Sequence, residues 1–369
     1  MPARAHIVCI IGTRPELIKM APVVHALSTV PRFSVTVLGS DQHRDLLAPL
    51  SDWFEVAFHH KLDVVPEERS LSELTSCLTL AFEQYFERER PALVVAQGDT
   101  TTVMCAALCC YYLRIPFAHV EAGLRTRNLE NPFPEELNRL VADRLARFHF
   151  CPTDGAARNV LAEGAAADGV SVTGNTVIDA LHYTTARLAR VPEPHLRHDV
   201  LLTAHRRESF GRPLERVFRA VRELVEEQEG LTVLCPVHPN PEVRAPAYAL
   251  LGGHPRITLT APLSYPDLVR AIQHARFVLT DSGGIQEEAP ALGKPVLVLR
   301  QATERPEIVD LGVAELVGTD PDAILRACRR LLADPDHYAR MARPVSPYGD
   351  GHAAARIRDV LCESVRAAR

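Results

Sequence analysis

Lysine is almost missing from this 369-residue sequence: Lys19, Lys61 and Lys294 stand against 38 arginines. Such replacement usually follows genome composition, but Lys19 and Lys294 both fall inside motifs discussed below. Long apolar runs are missing too. The longest, Val103 to Leu113, is 11 residues and stops at Arg114, whereas a membrane-spanning helix needs about 20. No membrane partner is expected. The opening stretch MPARAHIVCIIG has no small-residue cleavage site and reads as a first strand rather than a secretion signal. There is no long basic stripe, and the net charge is -5, so the footprint of a nucleic-acid partner is absent. Any anionic ligand must be met by local groups. The nine cysteines form no Cys-x-x-Cys pair and lie mostly in apolar runs. They read as buried free thiols of a cytoplasmic protein. Finally, no G-x-G-x-x-G follows the first strand, so the dinucleotide-binding fingerprint is not met.

What is present is an ordinary globular composition, 47% apolar and 24% charged. At roughly 150 residues per domain, the length suggests two domains. Short apolar runs alternate with helical patterns throughout. The expected strands are His6–Ile11, Ser34–Leu38, Leu93–Gln97, Phe117–Val120 and Phe148–Cys151, then Val200–Thr203, Thr232–Cys235, Ile257–Thr260, Phe277–Thr280 and Val296–Leu299. They are continuously apolar, as parallel strands buried on both faces are. Helical stretches between them, such as Leu214–Glu227 and Pro266–His274, imply an α/β fold of doubly wound sheets. The alternation pauses between about Thr176 and His198, which puts a domain junction near Gly174–Thr176. A last helix is expected from about His352 to Ala368.

Polar motifs cluster where strands end, the place where open α/β sheets bind ligands. Gly12-Thr13-Arg14-Pro15-Glu16 follows the first strand, with Lys19 one turn further on. A helix N-terminus with Arg14 beside it suits an anion. Thr280-Asp281-Ser282-Gly283-Gly284 repeats that plan in the second half, where backbone amides and Ser282 are suited to a diphosphate and Glu288 to ribose hydroxyls. Asp99 follows another strand, and a helix N-cap explains it as an isolated observation. Glu121 is a carboxylate at the end of an apolar strand, and Glu135 opens a helix after Pro132 and Pro134. His205, followed by two arginines, tops the first strand of the second half; His238 repeats this placement more weakly. The two histidines are too isolated to specify a metal site.

Read in order, GTRPE, LIKMAP, QHR, QGDTTT, HVEAGLRT, PFPEELNR, VTGNTVIDAL, AHRRES, PVHPNP, TDSGGIQEEAPALGKPVLVLR, TERPE and PYGDG run over essentially the whole chain. Together they resemble the non-hydrolysing UDP-N-acetylglucosamine 2-epimerases of bacteria. The resemblance implies a GT-B fold, two Rossmann-like domains with the active site in the cleft between them. It implies an N-terminal domain over 1–174 with catalytic carboxylates, a UDP-binding domain over 175–351, and a helix over 352–369 returning to the first domain. It further implies a homodimer, no nicotinamide cofactor and no metal.

The reaction implied is interconversion of UDP-N-acetylglucosamine and UDP-N-acetylmannosamine. C2–H of the sugar is not beside a carbonyl, so direct abstraction is very unfavourable. Departure of UDP from C1 makes that proton far more acidic, and its loss gives 2-acetamidoglucal. A proton delivered to the other face and re-addition of UDP complete the inversion. The family's acid–base carboxylates match Asp99, Glu121 and Glu135, which when crowded should have raised, coupled pKa values. Its essential histidine matches His205. Which carboxylate serves which face stays open. UDP-binding positions match Arg14, Lys19, Ser282, Gly283, Gly284, Glu288 and Arg305. A second substrate molecule acting as activator would meet Gln42, His43, Arg206 and His238, but Arg69-Ser70-Leu71 stands where Gln-Thr-Leu is common. Leu268 stands where many relatives have Phe near uracil. The rival readings are a hydrolysing epimerase, a glycosyltransferase on the same fold and a non-catalytic UDP-sugar sensor. Surface polysaccharide and secondary-metabolite pathways both use such products.

Overall fold

A computed structural model describes residues 4–40, 44–62, 70–191 and 198–365 of the chain. The chain divides into two compact units, Met1–Ala180 with Tyr348–Arg369, and Leu181–Pro347. The first carries β1 (Ala5–Ile11), α1 (Arg14–Ser28), β2 (Phe33–Gly39), α2 (Arg44–Phe54), β3 (His60–Lys61), α3 (Leu71–Glu89), β4 (Leu93–Gln97) and α4 (Thr101–Tyr112). It continues with β5 (Phe117–Val120), α5 (Glu135–Leu145), β6 (Phe148–Cys151), α6 (Asp154–Ala162), β7 (Val170–Val172) and α7 (Thr176–Leu188), which crosses the division. The second unit holds β8 (Val200–Thr203), α8 (Arg212–Glu227), β9 (Val233–Pro236), α9 (Pro241–Leu251), β10 (Ile257–Thr260) and α10 (Tyr265–His274). After these come β11 (Phe277–Thr280), α11 (Gly283–Ala291), β12 (Val296–Val298), α12 (Pro306–Asp310), β13 (Ala314–Leu316), α13 (Pro321–Ala333) and α14 (Pro335–Met341). The last helix, α15 (Ala353–Ser364), belongs to the first unit.

Each unit is built on one parallel sheet. The strand orders are β3-β2-β1-β4-β5-β6-β7 and β10-β9-β8-β11-β12-β13, with every pairing parallel. The central strands are apolar along their length because helices cover both faces: Ile7 to Ile11 of β1 and Leu93 to Ala96 of β4 are fully buried. Helices present the matching stripe, as in α8, which buries Leu214, Val217, Phe218, Val221, Leu224 and Val225 against the second sheet. The strand order reverses between β1 and β4 in one sheet and between β8 and β11 in the other. The carboxyl ends of those strand pairs are the switch points where open sheets leave a ligand crevice.

Three strands escape the sequence reading: β3, β7 and β13 are only two or three residues long. Asp99 is not the N-cap of α4; Thr100 is, its hydroxyl accepting from Val103 N. The helix α15 packs on α1. Its N-terminus is capped from a distance by Asp179, whose carboxylate accepts from Ala353 N at 3.2 Å and Ala354 N at 2.9 Å. All nine cysteines are free, and all but Cys77 and Cys362 are buried. Among the described residues no helix is long and apolar enough to cross a membrane.

Candidate active site

The first unit gathers its polar groups around the β1/β4 switch point. Glu121 leaves the end of β5 with φ of 69°, an unusual backbone for a residue other than glycine. Its amide and that of Ala122 both donate to Phe150 O, at 3.0 and 3.1 Å. The buried carboxylate takes Lys19 Nζ at 2.5 Å and Asn175 Nδ2 at 2.6 Å, both on Oε2. The lysine kept in an arginine-rich chain is therefore paired with a candidate catalytic carboxylate.

Asp99 follows β4, and α5 fixes it. Arg139 donates to its Oδ2 from Nε at 3.0 Å and Nη2 at 2.7 Å, while Asn138 Nδ2 donates to its carbonyl at 2.8 Å. Arg139 is itself held by Glu136, at 2.8 Å from Nη1. Glu135 lies on the same face of α5 as Asn138 and Arg139, at helical spacings of three and four. Its Oε2 is shielded from solvent and has no hydrogen-bond partner among the described residues. One turn of α5 thus brings Glu135 and the two side chains that hold Asp99 onto one face.

Two of the amides at the start of α1 are already taken from within the chain. Glu16 closes a capping box with Thr13 and accepts from Gly12 N at 2.5 Å and Thr13 N at 2.9 Å. Its other oxygen accepts from Thr100 Oγ1 at 2.6 Å. Burial pushes the Glu16 carboxyl up, against the pull of those three hydrogen bonds. A Cβ at Gly12 would stand 2.3 Å from Ser40 Oγ, so the buried Ser40 side chain would have to turn away. Arg14 stands beside this turn, half-buried.

In the second unit the β8/β11 switch point joins His205 to Asp281. Asp281 Oδ2 accepts from the amides of His205 at 2.7 Å and Arg206 at 2.8 Å. Its Oδ1 lies 3.2 Å from His205 Nδ1. The His205 ring stacks on His238 with centroids 5.7 Å apart. Burial, reinforced by His205, pushes the His238 pKa down. After Asp281 comes α11, and here the contrast with α1 matters: Ser282 makes no side-chain cap. The first-turn amides of α11 face no capping side chain, as an anion-binding helix start requires.

The remaining second-unit candidates are held by neighbours. Glu288 accepts from Tyr265 OH at 2.7 Å. Burial and the adjacent Glu288 carboxylate keep that phenol well above its ordinary pKa. Arg305 donates to Glu287 at 2.6 Å and to Glu304 at 2.5 Å. Arg300 donates to Glu304 at 2.8 Å, and Arg206 lies 3.9 Å from it. Gly283 packs on the Arg305 guanidinium, 2.7 Å from where its Cβ would stand, whereas Gly284 has room. Leu268 is half-buried on α10. Gln42, His43 and Arg69 lie outside the described residues. Sequence reasoning gave no role to Asn175, Arg139, His119, Asp143, Asp281 or Tyr265. The available signal was a polar residue at the border of an apolar strand or on a helix facing one.

The profile of the family described as UDP-N-acetylglucosamine 2-epimerase matches residues 25–362. The UDP-N-acetylglucosamine 2-epimerase of Bacillus subtilis is 44% identical over 362 residues, covering 96% of this chain and 94% of that protein. That of Yersinia pestis is 42% identical over 367 residues, covering 96% and 98%. The crystal structure of the Neisseria meningitidis UDP-GlcNAc 2-epimerase bound to UDP-GlcNAc superposes with a TM-score of 0.94 at 38% identity, covering 97% of this chain and all of that one. Two Rossmann-like units of this kind make the fold GT-B. The chain belongs to the UDP-N-acetylglucosamine 2-epimerase family.

Proposed function

We propose that the chain is a non-hydrolysing isomerase that interconverts UDP-N-acetylglucosamine and UDP-N-acetylmannosamine by inverting C2 of the sugar. The observation that carries this reading is the carboxylate set of the first unit: Asp99 clamped by Arg139, Glu121 held by Lys19 and Asn175, and Glu135 with an unpaired, shielded oxygen. In the forward direction the C1–O bond breaks and UDP leaves with the electron pair. A carboxylate takes the C2 proton, leaving 2-acetamidoglucal. A carboxylic acid then delivers a proton to the opposite face of C2, and the UDP oxygen returns to C1. Acid–base groups so placed contribute roughly 10²–10⁴-fold each.

The leaving diphosphate needs positive charge and amide donors. The uncapped start of α11 supplies the amides of Gly283 and Gly284, with the Ser282 hydroxyl next to them, and His205, anchored by Asp281, stands beside it. A single charge at ~4 Å contributes about 4 kcal/mol at an effective dielectric near 20. We assign UDP binding to these second-unit residues with Glu288 and Arg305, and acid–base chemistry to the first unit. We assign a homodimer as the assembly, supported by the apolar side chains that α3 and α4 leave exposed.

The test is NMR of the sugar-nucleotide pool after incubation with UDP-N-acetylglucosamine in D₂O, with no cofactor added. Deuterium should appear at C2 of both epimers. Retention of the original C2 hydrogen would falsify the mechanism. Stoichiometric UDP with free N-acetylmannosamine would instead identify a hydrolysing enzyme, and sugar transferred to an added acceptor a glycosyltransferase.

A further inference from the structure

His119 and Asp143 take no part in the chemistry above, yet they join the pieces that carry it. His119 is the third residue of β5, two before Glu121, and is fully buried. Its Nε2 lies 2.7 Å from the carbonyl of Gly98, the residue before Asp99. A carbonyl only accepts, so Nε2 donates. Its Nδ1 lies 2.5 Å from Asp143 Oδ1 on α5, two turns after Glu135. The second oxygen of Asp143 accepts from Gly123 N at 3.0 Å, in the turn just after Glu121, and from Arg125 Nη2 at 2.7 Å. Arg125 is in turn paired with Glu163. One buried pair therefore ties the Asp99 loop, the Glu121 turn and the helix of Glu135 to each other.

Given the reading above, we propose that His119, oriented by Asp143, is a positioning residue: its contact with the Gly98 carbonyl fixes the separation of Asp99 and Glu121 without touching substrate. Elimination and reprotonation act on opposite faces of one carbon, so a small change in this spacing lowers turnover. UDP binding, assigned to the other unit, is left largely intact.

Two substitutions separate the ties. In His119→Asn the amide nitrogen replaces Nδ1, keeping the Asp143 contact and losing Gly98. In His119→Gln it replaces Nε2, keeping Gly98 and losing Asp143. Measured per folded molecule, His119→Asn should lose roughly 10–100-fold in kcat with KM for UDP-N-acetylglucosamine within about threefold. His119→Gln should recover most of that kcat. Wild-type deuterium incorporation at C2, run in parallel, separates failure of this proposal from failure of the epimerase reading. A folded His119→Asn enzyme with kcat within twofold of wild type overturns the proposal. So does equal loss in both variants, and so does failure of both to fold, since the pair would then hold the fold rather than the spacing.

Discussion

Glu121 shows how far a single residue could be read. Its place after an apolar strand was legible, because a carboxylate at such a position has little structural use. Its partners were not: Lys19 is 102 residues away and Asn175 is 54 away in the chain. Only the parallel order of the sheet brings α1, β5 and the start of α7 to one point. At α1 the strand–helix pattern pointed to open amides, and Glu16 takes those of Gly12 and Thr13 from within the same turn. A pattern of residue types does not say whether a helix start caps itself. The Lys19 contact also sets an expectation for mutation. Glu121→Gln keeps the size of the side chain but removes its charge and its capacity to take a proton. Turnover should fall by roughly 10²–10⁴-fold. UDP affinity, measured by calorimetry, should stay within a few-fold if UDP is held by the second-unit residues assigned to it. An unchanged kcat would remove Glu121 from the chemistry.

At the level of elements, the long buried strands were the most legible part of the fold. Their apolar runs follow from helices covering both faces. The short edge strand β3 was not, because His60 and Lys61 are both exposed and carry no apolar signal. Nor could sequence show that β5 and α5 share a buried ion pair, and this pair makes a pH prediction. Burial opposes charge on His119, as does Arg125. The Asp143 carboxylate and the Gly98 carbonyl outweigh them, so its pKa is raised above the ordinary 6.5. For Asp143, burial is outweighed by His119 and Arg125, and its pKa falls from 3.8 to about 2. The His119 contribution to stability is complete below 6.5 and is lost as pH rises through the raised value. The Asp143 contribution is complete above 3.8 and is lost as pH falls toward 2. His119→Gln cannot carry the charge. The gap in Tm between wild type and this variant should therefore be widest between about pH 4 and 6.5 and narrow on the alkaline side. A gap that grows with rising pH would mean that the ring is neutral when folded.

For the whole molecule, two sheets were legible from the alternation of strands and helices, and the return of α15 to the first unit from resemblance alone. Assembly is the level at which composition says least, since a chain can expose apolar side chains singly without consequence. Here they are grouped. Cys105 and Cys109 of α4 contact the Thr75 and Thr79 carbonyls of α3, which sets the two helices side by side. On this surface α3 leaves Leu80 59% exposed, and the end of α4 leaves Tyr111 and Tyr112 62% and 64% exposed. The two tyrosine rings have centroids 6.2 Å apart. Tyrosine gives a large contact area for little lost side-chain freedom, and a closed dimer would bury the same patch on both copies. Light scattering on the purified chain should therefore give twice 40.7 kDa. The double variant Leu80→Glu, Tyr111→Glu would set like charges against each other across that patch. It should shift the mass toward 40.7 kDa without lowering the helix content. A variant that stays dimeric at low micromolar concentration would place the contact on another face, and a wild-type chain that is monomeric throughout would leave this patch exposed in solution.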